Sequence, residues 1–143
     1  MSKTEMVRSR VQQYLTNIYG SATIDSDGDF TIRRESARGF VRVVGNDSDD
    51  FSVVLIFAPV LTGAVDSPEL HRWLAFNDTF LFGSYHLKMR SDGTVDLMLR
   101  HVLLGDYIDE PELGFALAFV METANRFDEE LQAKFGGSRF HEE

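Results

Sequence analysis

The tripeptide Ser-Asp-Gly occurs twice, at 26–28 and 91–93, each time between runs of strand-like residues. Each copy predicts a tight antiparallel hairpin. A one-residue slip in a hairpin exchanges the two faces, so a register can be tested against the side chains. In "SYHLKMRSDGTVDLMLRHVLL" a two-residue loop at Asp92-Gly93 sets Leu87 against Met98 but Met89 against Asp96. A three-residue loop, Ser91-Asp92-Gly93, pairs Met89 with Val95, Leu87 with Leu97 and Tyr85 with Leu99. The other face then carries Lys88 opposite Asp96, a favourable charge pair. The second register is consistent throughout, and it needs a type I turn with glycine in the left-handed position.

The same logic at Ser26-Asp27-Gly28 pairs Ile24 with Phe30 and Ala22 with Ile32. It also sets Asp25 across from Asp29, an unfavourable like-charge pair. The stretch "DSDGDF" opens like a calcium-binding loop, with Asp25, Asp27 and Asp29 at positions 1, 3 and 5. Phe30 stands where the loop glycine belongs, and Ser36 where the bidentate glutamate belongs. Strands rather than helices flank it. The motif is therefore read as a turn, with the three aspartates kept as a weak cation candidate and no metal or cofactor expected.

Between and around the hairpins the pattern alternates helix and strand. Val7, Val11, Tyr14, Leu15 and Ile18 recur at helical spacing over residues 4–19, before Gly20. "GFVRVVG" and "FSVVLIFAPVL" read as strands joined by the polar "GNDSDD". The second run is long and β-branched, as in a central strand, and Pro59 within it predicts a bulge or the end of pairing. A second helix starts at "DSPEL", capped by Ser67 with Pro68 at its first position. Its apolar stripe is Leu70, Trp73, Leu74, Phe80 and Leu81, with Asn77 inside as a structural polar residue.

The last helix begins after Asp109 and stops at Gly136-Gly137. Leu113, Leu117, Val120, Met121, Ala124 and Leu131 make one stripe, while Phe115 and Phe119 lie on another face. A helix packed on one side of a sheet needs only one such stripe. The second must meet the first helix, a subunit partner or a ligand.

The expected order is a helix, three or four strands, a helix, two strands and a helix, written α-β-β-β-α-β-β-α. This is an α+β domain, a largely antiparallel sheet with packed helices, over residues 1–143 as one domain. The chain has no cysteine, which excludes thiolate catalysis and cysteine-ligated metals. Its net charge of −9 favours solubility and disfavours nucleic acid and anionic membranes. No apolar stretch is long enough to span a bilayer, so a cytoplasmic location is expected.

Little points to catalysis. His71, His86, His101 and His141 do not converge in this register, and there is no serine elbow or phosphate loop. Arg33, Arg34, Arg38 and Arg42 read as a solvated strand face.

The stretch from Asp25 to Gly137 resembles the YbjN-like branch of the type III secretion chaperone-like (TY-Chap) superfamily. The resemblance rests on the element order, the "DSDGDF" turn, the segment "LHRWLAFNDTFLFGSYHLKMRSDGTVDLMLRHVLL" and the closing helix "ELGFALAFVMETANRFDEELQAKFGG". It implies a non-enzymatic chaperone-like or regulatory protein that binds peptide segments of a partner, often as a homodimer. It brings no catalytic residues. Phe115 and Phe119, and then Trp73 and Phe76, are the expected partner or dimer contacts. The alternatives are a small-ligand sensor, an enzyme whose acids converge only in three dimensions, and a structural subunit of a larger assembly.

Overall fold

A computed structural model describes residues 2–46, 48–76 and 82–139 of the chain. Among them the elements run α1 (Lys3–Tyr19), β1 (Thr23–Ile24), β2 (Phe30–Arg34), β3 (Ala37–Gly45), β4 (Ser52–Ala64) and α2 (Pro68–Phe76). They continue with β5 (Ser84–Met89), β6 (Val95–Leu104), a 3-10 turn at Gly105–Tyr107, α3 (Glu110–Phe135) and β7 (Ser138–Arg139). The strands form one antiparallel sheet in the order β1-β2-β3-β4-β6-β5, with β7 pairing β4. This is the expected α+β architecture, with four strands before α2 and an added β7 at the end.

Both Ser-Asp-Gly hairpins take the three-residue loop. Met89 pairs with Val95, Leu87 with Leu97, Tyr85 with Leu99 and Lys88 with Asp96. Arg90 N–H donates to the Thr94 carbonyl and Gly93 N–H to the Arg90 carbonyl, with Gly93 at φ +86°. The first copy repeats this: Asp25 N–H donates to Asp29, Gly28 N–H to Asp25, and Gly28 has φ +84°. Ile24 pairs with Phe30 as expected. The ladder stops at Thr23, so Ala22 does not pair with Ile32 but packs on the core edge.

β4 is the central strand. It pairs β3 on one side and β6 on the other, and its register shifts after Pro59 and again before Ala64. Proline has no N–H for the ladder, so the irregularity falls where the sequence expects it. Beyond the break β4 pairs with β7, Leu61 with Arg139 and Thr62 with Ser138.

The helices obey their end signals. Ser2 and Glu5 form a capping box on α1, Ser67 Oγ accepts from Leu70 N–H, and Asp109 accepts from Glu112 N–H at 2.8 Å. Asp49, in the β3–β4 loop, also reaches α1. Its carboxylate accepts from Lys3 N–H at 2.6 Å, Thr4 N–H at 3.1 Å and Thr4 Oγ1 at 2.9 Å. The two N–H groups are backbone donors that a helix start leaves without partners.

α1 and α3 lie on the same side of the sheet. Val7, Val11 and Leu15 from α1, and Leu113, Leu117, Val120, Met121 and Leu131 from α3, are buried there. They meet alternate residues of the strands, such as Val41, Val54, Ile56 and Leu97. Gly39 marks the contact, since a Cβ there would stand 2.7 Å from Met121 Cγ and 2.9 Å from Leu117 Cδ1. α2 joins the same layer through Trp73, whose ring meets Tyr85 and Phe127 edge-on, each at 5.8 Å.

Candidate functional site

Packing all three helices on one side leaves the other side of the sheet without a helix among the described residues. The register fixes what stands there. Val44, Val53 and Leu104 form one cross-strand row; Arg42, Leu55 and Val102 form the next; Phe40, Phe57 and Arg100 form a third. The Phe40 and Phe57 rings stack at 5.2 Å. Val102 and Leu104 are each 47% exposed. β4 is thus apolar on both faces, while only one of them is covered. The apolar run in "FSVVLIFAPVL" reads as a strand buried on both sides, but its residues alternate between fully and partly buried.

The acidic turn borders this surface. Continuing the β2–β3 register beyond Phe30↔Val41 puts Asp29 opposite Arg42. Arg42 Nε and Nη2 donate to the two Asp29 carboxylate oxygens at 2.6 and 2.7 Å, and its guanidinium lies 5.5 Å from the Phe57 ring centre. Asp25 Oδ1 accepts from the N–H groups of Asp27 and Asp29. The carboxylates of Asp25, Asp27 and Asp29 do come together, within 4.8 Å. The positive charge they meet is Arg42, whose pKa is raised by its hydrogen bond to Asp29, against the cost of its own burial. Asp25 therefore faces Asp29 without two bare charges meeting: one binds turn amides and the other a guanidinium.

The four arginines expected on one solvated face are divided. By strand parity Arg33, Arg38 and Arg42 leave the sheet on the open side and Arg34 on the helix side with Ile32 and Phe30, yet Arg33 also lines a groove with Phe115 and Arg38 a cavity with Asp128 of α3. A shift by one residue along a strand changes the side, and Arg33 and Arg34 are adjacent.

Among the expected contact residues, Phe115 is 64% and Phe119 37% exposed. α1 covers only part of that flank, with Ile18 reaching Gly114. Phe115 lines a groove with Ile18, Tyr19, Arg33, Arg34 and Glu110. Phe119 stacks on Phe82 at 5.2 Å, and Phe82 meets the His101 ring edge-on at 5.3 Å. Phe76, 81% exposed, lines a second groove with Glu69, Arg72, Trp73, Lys134 and Phe135. Trp73 is half-buried and mainly joins α2 to α3 and β5. Asn77 lies outside the described residues.

The histidines stay apart. His71 Nε2 lies 2.7 Å from Asp66, His86 bonds the Ser84 hydroxyl, and His101 Nδ1 accepts from Gly83 N–H. Burial lowers the pKa of His86, helped by Arg100, and lowers that of His101 against the pull of Glu112. His141 is outside the described residues. Sequence reasoning missed Arg139 on β7, which lies 3.8 Å from the buried Asp128 and 3.3 Å from Glu129 on α3. A two-residue strand leaves no periodicity to read.

The model of the family described as type III secretion (YopN, CesT) and YbjN peptide-binding chaperone 1 matches residues 5–143. The chain belongs to this peptide-binding chaperone family. Solved structures share its fold. One is the ExsC–ExsE complex, with a TM-score of 0.62, 15% identity and coverage of 92% of this chain and 97% of that one. A second is E. coli YbjN, with a TM-score of 0.60, 13% identity and coverage of 90% and 93%. A third is the HopA1–SchA chaperone–effector complex, with a TM-score of 0.57, 11% identity and coverage of 88% and 95%. At these identities the likeness to the solved structures is one of fold. A search of curated proteins finds no match to the chain. Among the described residues of this chaperone-family chain, no helix is long and apolar enough to cross a membrane.

Proposed function

We propose that the protein is a non-enzymatic, cytoplasmic chaperone that holds a peptide segment of a partner protein and works as a homodimer, residues 1–143 acting as one domain. The observation that carries this reading is a sheet with its helices on one side and an uncovered apolar surface on the other, in a chain of the peptide-binding chaperone family. The segment would be held by strand addition or in an apolar groove. The ExsC–ExsE and HopA1–SchA complexes are a precedent for partner binding on this fold.

Phe115 and Phe119, with Phe76 and Trp73 at the second groove, form the contact between subunits in this reading. Exposed aromatics on a helix layer are suited to an interface core. A small-ligand sensor would be favoured by a deep polar pocket with several carboxylates. The grooves at Phe76 and Phe115 instead combine aromatic rings with two cations and one carboxylate each.

The test combines light scattering with purification of the tagged protein from its native host. The expected result is a dimer carrying a partner chain, with Phe115→Asp folded but monomeric. A monomer at high concentration, no partner chain and no effect of Phe115→Asp would remove the basis of the reading.

A further inference from the structure

The two Ser-Asp-Gly turns share a backbone and differ in what their middle aspartate does. They contain the two Asp-Gly pairs of the sequence, which has no Asn-Gly pair. Gly28 N–H donates to the Asp25 carbonyl and Gly93 N–H to the Arg90 carbonyl, both at 3.1 Å, and both glycines have open space where a Cβ would stand. The glycine amides therefore do not distinguish the turns. The carboxylates do. Asp92 Oδ1 accepts from Thr94 N–H at 2.9 Å and from Thr94 Oγ1 at 2.5 Å. The hydroxyl's bond, and then the amide's, hold the Asp92 carboxyl below its usual pKa. In the first turn the residue two places on is Asp29, which has no hydroxyl. Its N–H donates to Asp25 Oδ1 instead, at 3.0 Å. Asp25 thus accepts turn amides and Asp29 binds Arg42, while the exposed Asp27 carboxylate meets no donor among the described residues.

We propose that Asp27–Gly28 is a site of spontaneous succinimide and isoaspartate formation in the folded protein, and that Asp92–Gly93, in the same tripeptide, is shielded from it. The Gly28 nitrogen attacks Cγ of the neutral Asp27 carboxyl group. An N–Cγ bond forms, and the amide hydrogen leaves with the carboxyl hydroxyl as one water. Water then opens the five-membered ring. Breaking the N–Cγ bond restores aspartate. Breaking the bond from nitrogen to the former main-chain carbonyl leaves isoaspartate, so the net change is an isomerisation with water as the only co-reactant. Glycine hinders the attack least, because it has no Cβ. No bond holds the Asp27 carboxyl away from that nitrogen. Asp92 must first give up two hydrogen bonds that favour its ionised form, and the ionised form is not attacked. Isoaspartate at position 27 adds one main-chain methylene to the loop that sets Asp29 against Arg42.

The test ages the intact folded protein in warm, mildly acidic buffer and, in parallel, the same protein unfolded in urea. Peptides from each are scored for isoaspartate by retention time and by methyl transfer from labelled S-adenosylmethionine with an isoaspartyl methyltransferase. In urea the two Asp-Gly sites should isomerise at similar rates, because they share one tripeptide. In the folded protein isoaspartate should accumulate at Asp27 about tenfold faster than at Asp92, the effect of one or two hydrogen bonds. Thr94→Ala, shown to be folded by circular dichroism, should bring Asp92 toward the Asp27 rate. Asp27→Glu should abolish the product at the first turn and leave the second unchanged. Equal rates at the two sites of the folded protein, a faster reaction at Asp92, or no isoaspartate at Asp27 once the unfolded chain has formed it would overturn the proposal. An Asp92 as slow in Thr94→Ala as in the parent would overturn it as well, since the Thr94 hydroxyl would then not be what separates the turns.

Discussion

Arg42 grips both carboxylate oxygens of Asp29, at 2.6 and 2.7 Å, while its guanidinium covers the ring of Phe57. One side chain thereby closes the acidic turn, joins β2 to β3 and borders the open face of the sheet. Asp29 is almost wholly buried and Arg42 about half exposed.

Removing the arginine strands a buried carboxylate. Arg42→Ala should cost about 2–3 kcal/mol, below the range for a fully buried pair because water reaches the guanidinium. Asp29→Ala leaves a cation that water can solvate and should cost less. Urea unfolding of the two single variants and the double variant checks this, with a coupling of about 1–2 kcal/mol expected. Additive losses would show that the two side chains act separately.

Acid should loosen the start of α1. Hydrogen bonds from Lys3 N–H, together with those from Thr4, hold Asp49 below the usual carboxylate pKa. Burial would raise Asp106, but hydrogen bonds from the Ser52 N–H and hydroxyl, with the Lys3 ammonium, outweigh it and leave it lowered. A carboxylate depressed by folding stabilises the protein above its unfolded pKa, and that contribution fades as pH falls through the folded one. Melting temperature should therefore be insensitive to these groups above about pH 5 and decline below about pH 4. Asp49→Asn should lower the melting temperature at pH 7 and flatten the decline in acid.

The distance between α3 and the sheet depends on Gly39. Gly39→Ala puts a methyl against Met121 and Leu117 and should cost about 1–3 kcal/mol, as overpacking does. Met121→Ala in the same chain should recover part of that loss, because it vacates the atoms nearest the new Cβ. Denaturant midpoints of the single and double variants read the coupling.

β7 depends on Gly137, which has φ +82° and would place a Cβ 2.7 Å from the Thr62 carbonyl. Gly137→Ala should detach β7 from β4 at about 1–3 kcal/mol, through backbone strain and contact together. Limited proteolysis should then cut after α3 while the remaining chain stays folded.

Much of this architecture was legible because it is periodic. The hairpin registers followed from alternation of two and a glycine in the left-handed position, and the Met89–Val95 and Ile24–Phe30 pairs appear as derived. The buried stripe from Leu113 to Leu131 followed from helical spacing. Three things were not legible. β7 is too short to carry a pattern. The Asp29–Arg42 bond joins residues whose nearness follows from the β2–β3 pairing, which no tight-turn motif announced. The open apolar face was hidden because "FSVVLIFAPVL" looks the same whether one side of β4 is covered or both. Phe115 and Phe119 were correctly separated from the core stripe, since their exposure follows from the same helical arithmetic.

Methyl NMR of the protein during titration with an extended leucine-rich peptide tests peptide binding and its place at once. Val53, Leu55, Val102 and Leu104 lie on the open face, whereas Val11, Leu117 and Leu131 lie under the helices. The prediction is saturable shifts at the first set with the second set nearly still. Unchanged spectra at saturating peptide, or shifts confined to the helix layer, would contradict it.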